Sequence, residues 1–406
     1  MIQPTQNKNT ITLILGMLAT VTPFAIDLYL PSFSKIAKDL DTTTAKISLS
    51  VSSYFIGMAL GQLLYGPLLD RFGRKKPLYL GLIIFMIASI ACTFSKSVEL
   101  LVTLRFIQAL GGSVAGVASM AMVKDFFPPE QGARIFAMLI LTIGVSPLLA
   151  PTIGGFVATA FGWKAVFILL SLIALFAMTI VFLYLPEGYK PDTAVSLRLK
   201  PMLKTYFSVL SDPQFFTYNI SGSFSFATLF IYVAGSPIVF MEIFQVSPQL
   251  YGGIFAFLSV GFIGGSQLNI YLTKKFTSNQ IFRFALIMQV ITGFIFLVVA
   301  WNDWMNLYST IAMFFVFLSC VGLINPNATA LALAPFTKNI GSASAMLGFT
   351  QIGIAALASI GVGMFDSSNM FAMIALMVAT ASFALFLLLK GEKRMAGKII
   401  TAGMNK

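Results

Sequence analysis

The stretch Gly66-Pro-Leu-Leu-Asp70-Arg71-Phe-Gly73-Arg74-Lys75-Lys76 decides the fold, because it is a dense charge cluster between two long apolar runs. The runs, 47–69 and 78–94, are each long enough to cross about 30 Å of hydrocarbon as a helix. A short basic loop between two such runs is typical of a turn at a membrane face. Asp70 and Arg74 are four residues apart, a spacing that places two side chains on one face of a helical turn.

The composition indicates a polytopic membrane protein. Of the 406 residues, 58% are hydrophobic and 10% are charged, whereas charged residues make up about 25% of a soluble domain. We expect an all-α integral membrane protein with twelve transmembrane helices, at 11–30, 47–69, 78–94, 100–123, 135–160, 163–185, 214–240, 251–272, 282–300, 305–333, 342–364 and 370–389. The first stretch is too long for a signal-peptide core and carries Asp27, so we expect it to be retained.

Basic residues are distributed unequally between the two sets of loops. Twenty of the 26 Lys and Arg residues lie on the side that holds both termini, five lie on the other side, and Arg105 lies within a span. Because cytoplasmic loops are enriched in Lys and Arg, we expect both termini in the cytoplasm. The net charge of +12 is then an orientation signal, and we expect no nucleic-acid partner.

The longest polar connection divides the chain into two halves of six spans. We expect an N-terminal six-helix half at 1–185, a cytoplasmic linker at 186–213, a C-terminal six-helix half at 214–390 and a cytoplasmic tail at 391–406. The sequence Gly66-Pro-Leu-Leu-Asp70 has a weak counterpart, Gly265-Ser-Gln-Leu-Asn269, after the second span of the other half. Paired halves around a central cavity are a known transporter architecture.

Two ionisable residues lie well inside predicted spans, Asp27 in the first and Arg105 in the fourth. Their depths match, so the two could share one cavity in the outer half of the membrane. Such charges are costly, which favours a function in proton coupling with Asp27 as the proton carrier, since its solvation would change as the cavity opens alternately to each side. The alternative is that both residues lie near helix ends and reach water, with Arg105 snorkelling.

A second charged group is predicted where the fourth span ends, on the same side as the loop after the second span. We expect a cytoplasmic gate that ties these helices together, formed by Gly66, Asp70, Arg71, Gly73, Arg74 and Asp125. The alternative is that the charges serve only as signals for topology. That alternative explains the lysines of the loop but leaves Asp70 and Asp125 without a role.

The fifth span carries two prolines and two adjacent glycines, namely Pro147, Pro151, Gly154 and Gly155. Prolines remove helical hydrogen bonds and small residues allow close approach, so we expect a bent, tightly packed helix. Aromatic residues are dense in the seventh span. With nearby amides they predict a cavity for a hydrophobic, partly polar small molecule, lined by Tyr29, Gln108, Phe224, Tyr232, Asn325 and Gln351.

Other chemistries lack the residues they need. The chain has no His, which excludes an imidazole proton relay and any His metal site, and Cys92 and Cys320 lie in separate spans, which disfavours a disulfide framework. No P-loop pattern is present. We expect no metal and no cofactor. An enzyme would need acids or a nucleophile clustered at one face, and a sensor would usually carry an appended soluble domain, so neither is expected.

These motifs resemble the major facilitator superfamily, and within it the twelve-span drug:proton antiporters of the bicyclomycin and chloramphenicol resistance (Bcr/CflA) group. The loop from Gly66 to Lys76 is similar to the signature between spans two and three. Arg105-Phe-Ile-Gln108-Ala-Leu-Gly111 is similar to the fourth-span motif, and Ile26-Asp27-Leu-Tyr29-Leu-Pro31 to the first-span motif of the group. The fifth span resembles the antiporter motif, although Ala137, Ser146 and Ala150 stand where glycines are expected.

The resemblance implies the major facilitator fold and proton-driven export of small, mostly hydrophobic drugs or toxic compounds by alternating access. By position it makes Asp27 the protonation site and Arg105 its cationic partner. It implies a multi-pass protein of the bacterial inner (plasma) membrane whose partners are a small-molecule substrate, protons and the lipid bilayer, and we expect a monomer. The alternative is a metabolite or siderophore carrier on the same scaffold, because the fold does not determine the substrate.

Overall fold

The computed structural model describes residues 8–187, 191, 206–336, 340–364 and 370–404. Within these ranges every regular element is helical, and twelve helices are long and apolar enough to cross a membrane. The prediction of an all-α membrane protein with twelve spans is confirmed. The predicted linker, 186–213, lies mostly outside the described residues.

Thirteen α-helices run along the described chain, and the short α2 belongs to the same candidate span as α1, Lys8–Asp39. The first seven are α1 (Lys8–Asp27), α2 (Phe33–Asp39), α3 (Thr44–Phe72), α4 (Lys75–Cys92), α5 (Val98–Phe126), α6 (Pro129–Phe161) and α7 (Trp163–Tyr184). The others are α8 (Pro213–Pro237), α9 (Pro248–Leu272), α10 (Ser278–Trp301), α11 (Leu307–Leu333), α12 (Ile340–Met364) and α13 (Met370–Met404). A π-helical segment, Ile238–Ile243, extends α8.

The described helices form two compact units. Unit 1 comprises the described residues of 1–198 and 240–256, and unit 2 those of 199–239 and 257–406. In unit 1, α5 packs against α1, α3 and α4, and α7 packs against α1 and α4. In unit 2, α8 packs against α11, α12 and α13, and α10 packs against α11 and α13.

Side chains on the outside of the units are apolar, as expected of helices that face lipid. In α7 the exposed residues Ile168, Leu172 and Phe176 recur every four positions, whereas Leu170 and Ala174 between them are buried. Both faces of such a helix are hydrophobic, so packing rather than polarity distinguishes the inner face.

The end of α1 is the local feature that positions the site. α1 stops at Asp27, and the chain then forms a 3-10 turn over Leu30–Ser32 before α2 begins. Pro31 lies in that turn and has no backbone N–H to continue the helical ladder. By contrast, α6 continues as one helix through both Pro147 and Pro151.

Candidate functional site

Arg105 of α5 is completely buried in unit 1 and is enclosed by what we call the Arg105 cage, formed by Tyr29, Tyr54, Gln108 and the carbonyl group of Ala25. Its guanidinium carbon lies 4.2 Å from the ring centroids of both Tyr29 and Tyr54. Nη2 donates a hydrogen bond to the carbonyl oxygen of Ala25 at 3.0 Å, and Nη1 donates to Oε1 of Gln108 at 2.5 Å. Arginine between two aromatic faces is stabilised most where water is excluded, as it is here.

A second layer of hydrogen bonds orients the cage. Nε2 of Gln108 donates to Oγ of Ser89 at 2.7 Å, and the hydroxyl groups of Tyr29 and Ser50 are 2.8 Å apart. The sequence predicted functional roles for Arg105, Tyr29 and Gln108 and missed the other members. The polar run Ser50-Val-Ser-Ser-Tyr54, unusual within an apolar span, is the signal that could have identified Tyr54 of the cage and Ser50 of the second layer.

Asp27 is buried at the last position of α1, 5% exposed. Among the described residues no ion pair within 4.0 Å includes Asp27. The structure therefore does not join Asp27 to Arg105 directly. Instead, Arg105 bonds the backbone of α1 two residues before Asp27, at Ala25. A buried carboxylate without a cation is costly in its charged form, and that cost makes it sensitive to any change in its solvation.

Helix α6 is in backbone contact with the end of α1. A Cβ atom on Gly154 would overlap the carbonyl oxygen of Leu28, the residue that follows Asp27, and a Cβ on Gly155 would lie 2.8 Å from the carbonyl oxygen of Pro248. Both contacts lie within unit 1. The two glycines are thus required by close approach, and one of them places α6 against the segment that carries Asp27.

Replacing Gly154 with Ala is expected to destabilise unit 1, because the added methyl group collides with backbone that cannot rotate away. Overpacking of this kind costs about 1 to 3 kcal/mol, so the midpoint of thermal unfolding of the purified protein should fall by about 5 °C. Gly116→Ala in α5 is the matched control, since a Cβ there meets no atom within 4 Å. Equal unfolding midpoints for the two variants would contradict this packing.

Asp70, Arg74 and Asp125, which we call the Arg74 cluster, meet at one end of unit 1. Nε and Nη2 of Arg74 donate to the two carboxylate oxygens of Asp125 at 2.6 and 3.2 Å, and Nη1 donates to Oδ1 of Asp70 at 2.8 Å. The fork of Arg74 thus ties the loop after α3 to the end of α5, as the spacing predicts. Burial alone would lower the pKa of Arg74, but its bonds to Asp125 and Asp70 outweigh burial and raise it.

The other residues predicted for this group lie nearby with different contacts. Gly73 has a φ of 83°, a left-handed conformation that favours glycine. The guanidinium of Arg71 lies 5.9 Å from the ring centroid of Phe72. A Cβ on Gly66 would meet no atom within 4 Å, so close packing does not account for this glycine.

In unit 2 the predicted cavity residues fall into two kinds. Nε2 of Gln351 donates to Oδ1 of Asn325 at 3.0 Å, which pairs α12 with α11, and both side chains are half-buried. Tyr232 is 2% exposed, with its ring 5.2 Å from that of Phe314, and the ring of Phe224 lies 4.8 Å from that of Phe383. The amides form a polar pair, whereas the two aromatic residues pack between helices.

Unit 2 also contains an uncharged counterpart of the Arg74 cluster. Nδ2 of Asn327 in α11 donates to Oδ1 of Asn269 in α9 at 2.6 Å. Asn269 is the residue that the weak internal repeat aligns with Asp70. Asn269 thus bonds directly to the second helix that follows its own, whereas Asp70 is connected to the corresponding helix, α5, through Arg74.

Comparisons with known proteins agree with this architecture. The family model described as Major Facilitator Superfamily matches residues 15–359. The chain is 33% identical over 354 residues to the bicyclomycin resistance protein homolog of Haemophilus influenzae, covering 87% of this chain and 89% of the relative. It is 26% identical over 362 residues to multidrug resistance protein D of Escherichia coli, with 87% and 89% covered.

A solved structure gives the same fold. The crystal structure of a D-xylose-proton symporter matches with a TM-score of 0.73 at 16% identity, over 93% of this chain and 97% of that one. The relatives and the fold are those of multi-pass membrane transporters of small molecules, which are not enzymes, and the family resemblance seen in the motifs is confirmed. The chain belongs to the Major Facilitator Superfamily.

Proposed function

We propose that this protein is a proton-driven exporter of small, mostly hydrophobic drugs or toxic compounds across a bacterial inner membrane. The observation that carries the proposal is Asp27, a buried carboxylate with no ion-pair partner among the described residues, at the end of α1 and next to the segment that Arg105 holds. The drug-resistance names of two relatives support export as the direction of transport.

In this proposal Asp27 is the group that carries the proton. Its charged form is tolerated only while water reaches it, so it takes up a proton from the outside and releases it when the site opens to the cytoplasm. Arg105 is a positioning residue: by bonding the carbonyl oxygen of Ala25 it fixes the end of α1 on α5. Movement of α5 would then move Asp27 with it.

In this proposal the two six-helix halves, 1–185 and 214–390, move so that the substrate site opens alternately to each side of the membrane. Both termini lie in the cytoplasm, and the monomer is the working unit. We assign the Arg74 cluster as the cytoplasmic gate, since its charged bonds tie α3 and α4 to α5 through a single fork. For the substrate, the Asn325–Gln351 pair offers amide groups that suit a neutral polar group on a hydrophobic compound.

Arg74→Lys and Asp125→Asn are each expected to lower the initial rate of efflux about tenfold. Lysine is a point charge that cannot reproduce the fork, and asparagine removes one charge of a buried pair. The two changes break the same bond, so the double variant should be no slower than either single variant. The measurement is efflux from cells with matched amounts of membrane-inserted protein.

The exposed Lys76→Gln is the control for removal of a charge from the same loop. If Arg74→Lys and Asp125→Asn both work at the wild-type rate, the charges are topology signals and the assignment of a gate is wrong.

A drug-susceptibility panel in an efflux-deficient host tests the substrate class. We expect the wild-type protein to protect against at least one hydrophobic compound, with bicyclomycin and chloramphenicol as the first probes, and the Asp27→Asn variant to give no protection. A chain that protects against none and instead accumulates a nutrient or a siderophore inside the cell would show the alternative carrier function.

A further inference from the structure

The chain that follows α7 returns to the loop between α3 and α4. Oε1 of Glu187 accepts hydrogen bonds from the backbone N–H groups of Arg74 at 2.6 Å and Lys75 at 3.3 Å. Nζ of Lys75 donates to the carbonyl oxygen of Leu185 at 2.7 Å. Three bonds therefore connect residues 185–187 to the two residues at the start of α4. Glu187 lies in the segment predicted to be the linker, 186–213, and no role was predicted for it.

Glu187 supplies what the start of α4 lacks. The first N–H groups of a helix have no partner within the helix, and a cap from a nearby side chain usually satisfies one of them. The N-cap residue of α4 is Arg74, whose side chain makes no capping bond, because a guanidinium group has only donors and cannot accept from the helix N–H groups. The carboxylate of Glu187 takes the place of the cap, and the helix dipole favours a negative charge there.

Gly73 makes room for this carboxylate. A Cβ atom at Gly73 would lie 2.9 Å from Oε1 of Glu187 and 3.4 Å from Cγ of Pro191. Its φ of 83° also turns the backbone so that the N–H groups of Arg74 and Lys75 point at the same oxygen. The glycine predicted for the gate thus serves two purposes, a left-handed turn and access for Glu187.

We propose that Glu187 is a positioning residue of the gate: it holds the backbone of Arg74 so that the guanidinium reaches Asp125, and it thereby fastens the start of the linker to the Arg74 cluster. This inference rests on the gate assignment made under the proposed function. The linker connects the two halves in sequence and begins next to Glu187. A movement of the linker would therefore act directly on Glu187, which bonds the backbone of Arg74. The start of the linker is then a working part of the gate.

Hydrogen–deuterium exchange of the purified full-length protein tests this without any substrate. In Glu187→Ala, the amides of Arg74 and Lys75 should exchange at least about tenfold faster, because a charged hydrogen bond has been removed. The amides at the end of α5 around Asp125 should also exchange faster, as they should in Arg74→Lys. Glu187→Gln keeps an acceptor oxygen and should restore most of the protection at both places.

Protection at the end of α5 is the readout that separates positioning from capping. If Glu187→Ala exposes only residues 74–75 and leaves the end of α5 protected, Glu187 is a helix cap and the proposal is overturned. Unchanged exchange at residues 74–75 would overturn it as well. Lys76→Gln is the control for charge, and the start of α10 in unit 2 is the segment whose exchange should not change.

Efflux measurements then test whether the bonds of Glu187 to Arg74 and Lys75 matter for transport. Glu187→Ala should lower the efflux rate to the level of Arg74→Lys, and Glu187→Gln should recover it; full efflux in Glu187→Ala would contradict the proposal. If proton coupling through Asp27 fails its own test, the hydrogen–deuterium exchange data still report on the role of Glu187, so the two failures can be told apart.

Discussion

Asp27→Asn is expected to abolish efflux against a concentration gradient while leaving downhill exchange of substrate intact. Asparagine has nearly the same shape as the protonated carboxyl group but cannot release a proton, so the variant keeps a neutral site and loses the coupling. Uphill efflux should fall to the background of cells that lack the protein, whereas exchange of labelled for unlabelled substrate should stay within about threefold of wild type, less than 1 kcal/mol on the rate.

Two controls accompany this variant. Asp27→Glu keeps a titratable carboxyl group and should retain part of the uphill efflux. Glu99→Gln removes an acid at an exposed position of α5 and should have no effect. Uphill efflux by Asp27→Asn at the wild-type rate would show that another group carries the proton.

Arg105→Lys is expected to cause the largest combined loss of stability and transport. An ammonium group cannot bond the carbonyl oxygen of Ala25 and Oε1 of Gln108 as a planar fork, and it stacks less well between two rings. Loss of desolvated cation–π contacts and of one hydrogen bond costs about 2 kcal/mol or more. We expect the unfolding midpoint to fall by at least about 5 °C and efflux to fall at least about tenfold.

Tyr54 provides a second test of the Arg105 cage. Tyr54→Phe keeps the ring and should leave stability close to wild type, whereas Tyr54→Leu removes the ring face and should not. Arg283→Lys, at an arginine whose side chain is 55% exposed, is the matched control for the loss of a guanidinium. If Arg105→Lys unfolds at the same temperature as Arg283→Lys, the cage does not stabilise the protein.

The Arg74 cluster shows what sequence can predict. Asp70 and Arg74 are four residues apart in the chain, and Asp125 ends a span on the same side, so spacing and topology suffice to bring the three together. Glu187 lies 113 residues from Arg74, and its contact depends on how the chain turns after α7. No local pattern reports such a contact.

The Arg105 cage was predicted only in part, for a related reason. Matching depth suggested that Arg105 and Asp27 share one cavity, but depth does not say which atom accepts the hydrogen bond of Arg105. The acceptor is the backbone carbonyl of Ala25, a group that every residue carries and that sequence cannot single out. Tyr54 and Ser89 were missed because their neighbours belong to other helices.

The central claim is that Asp27 couples proton movement to transport, and proton flux measures it most directly. In everted membrane vesicles with an established pH gradient, a compound found in the susceptibility panel is added and the gradient is followed with a fluorescent dye. We predict that the compound dissipates the gradient in wild-type vesicles and has no effect in Asp27→Asn vesicles that contain the same amount of protein. Equal dissipation in both would contradict the account.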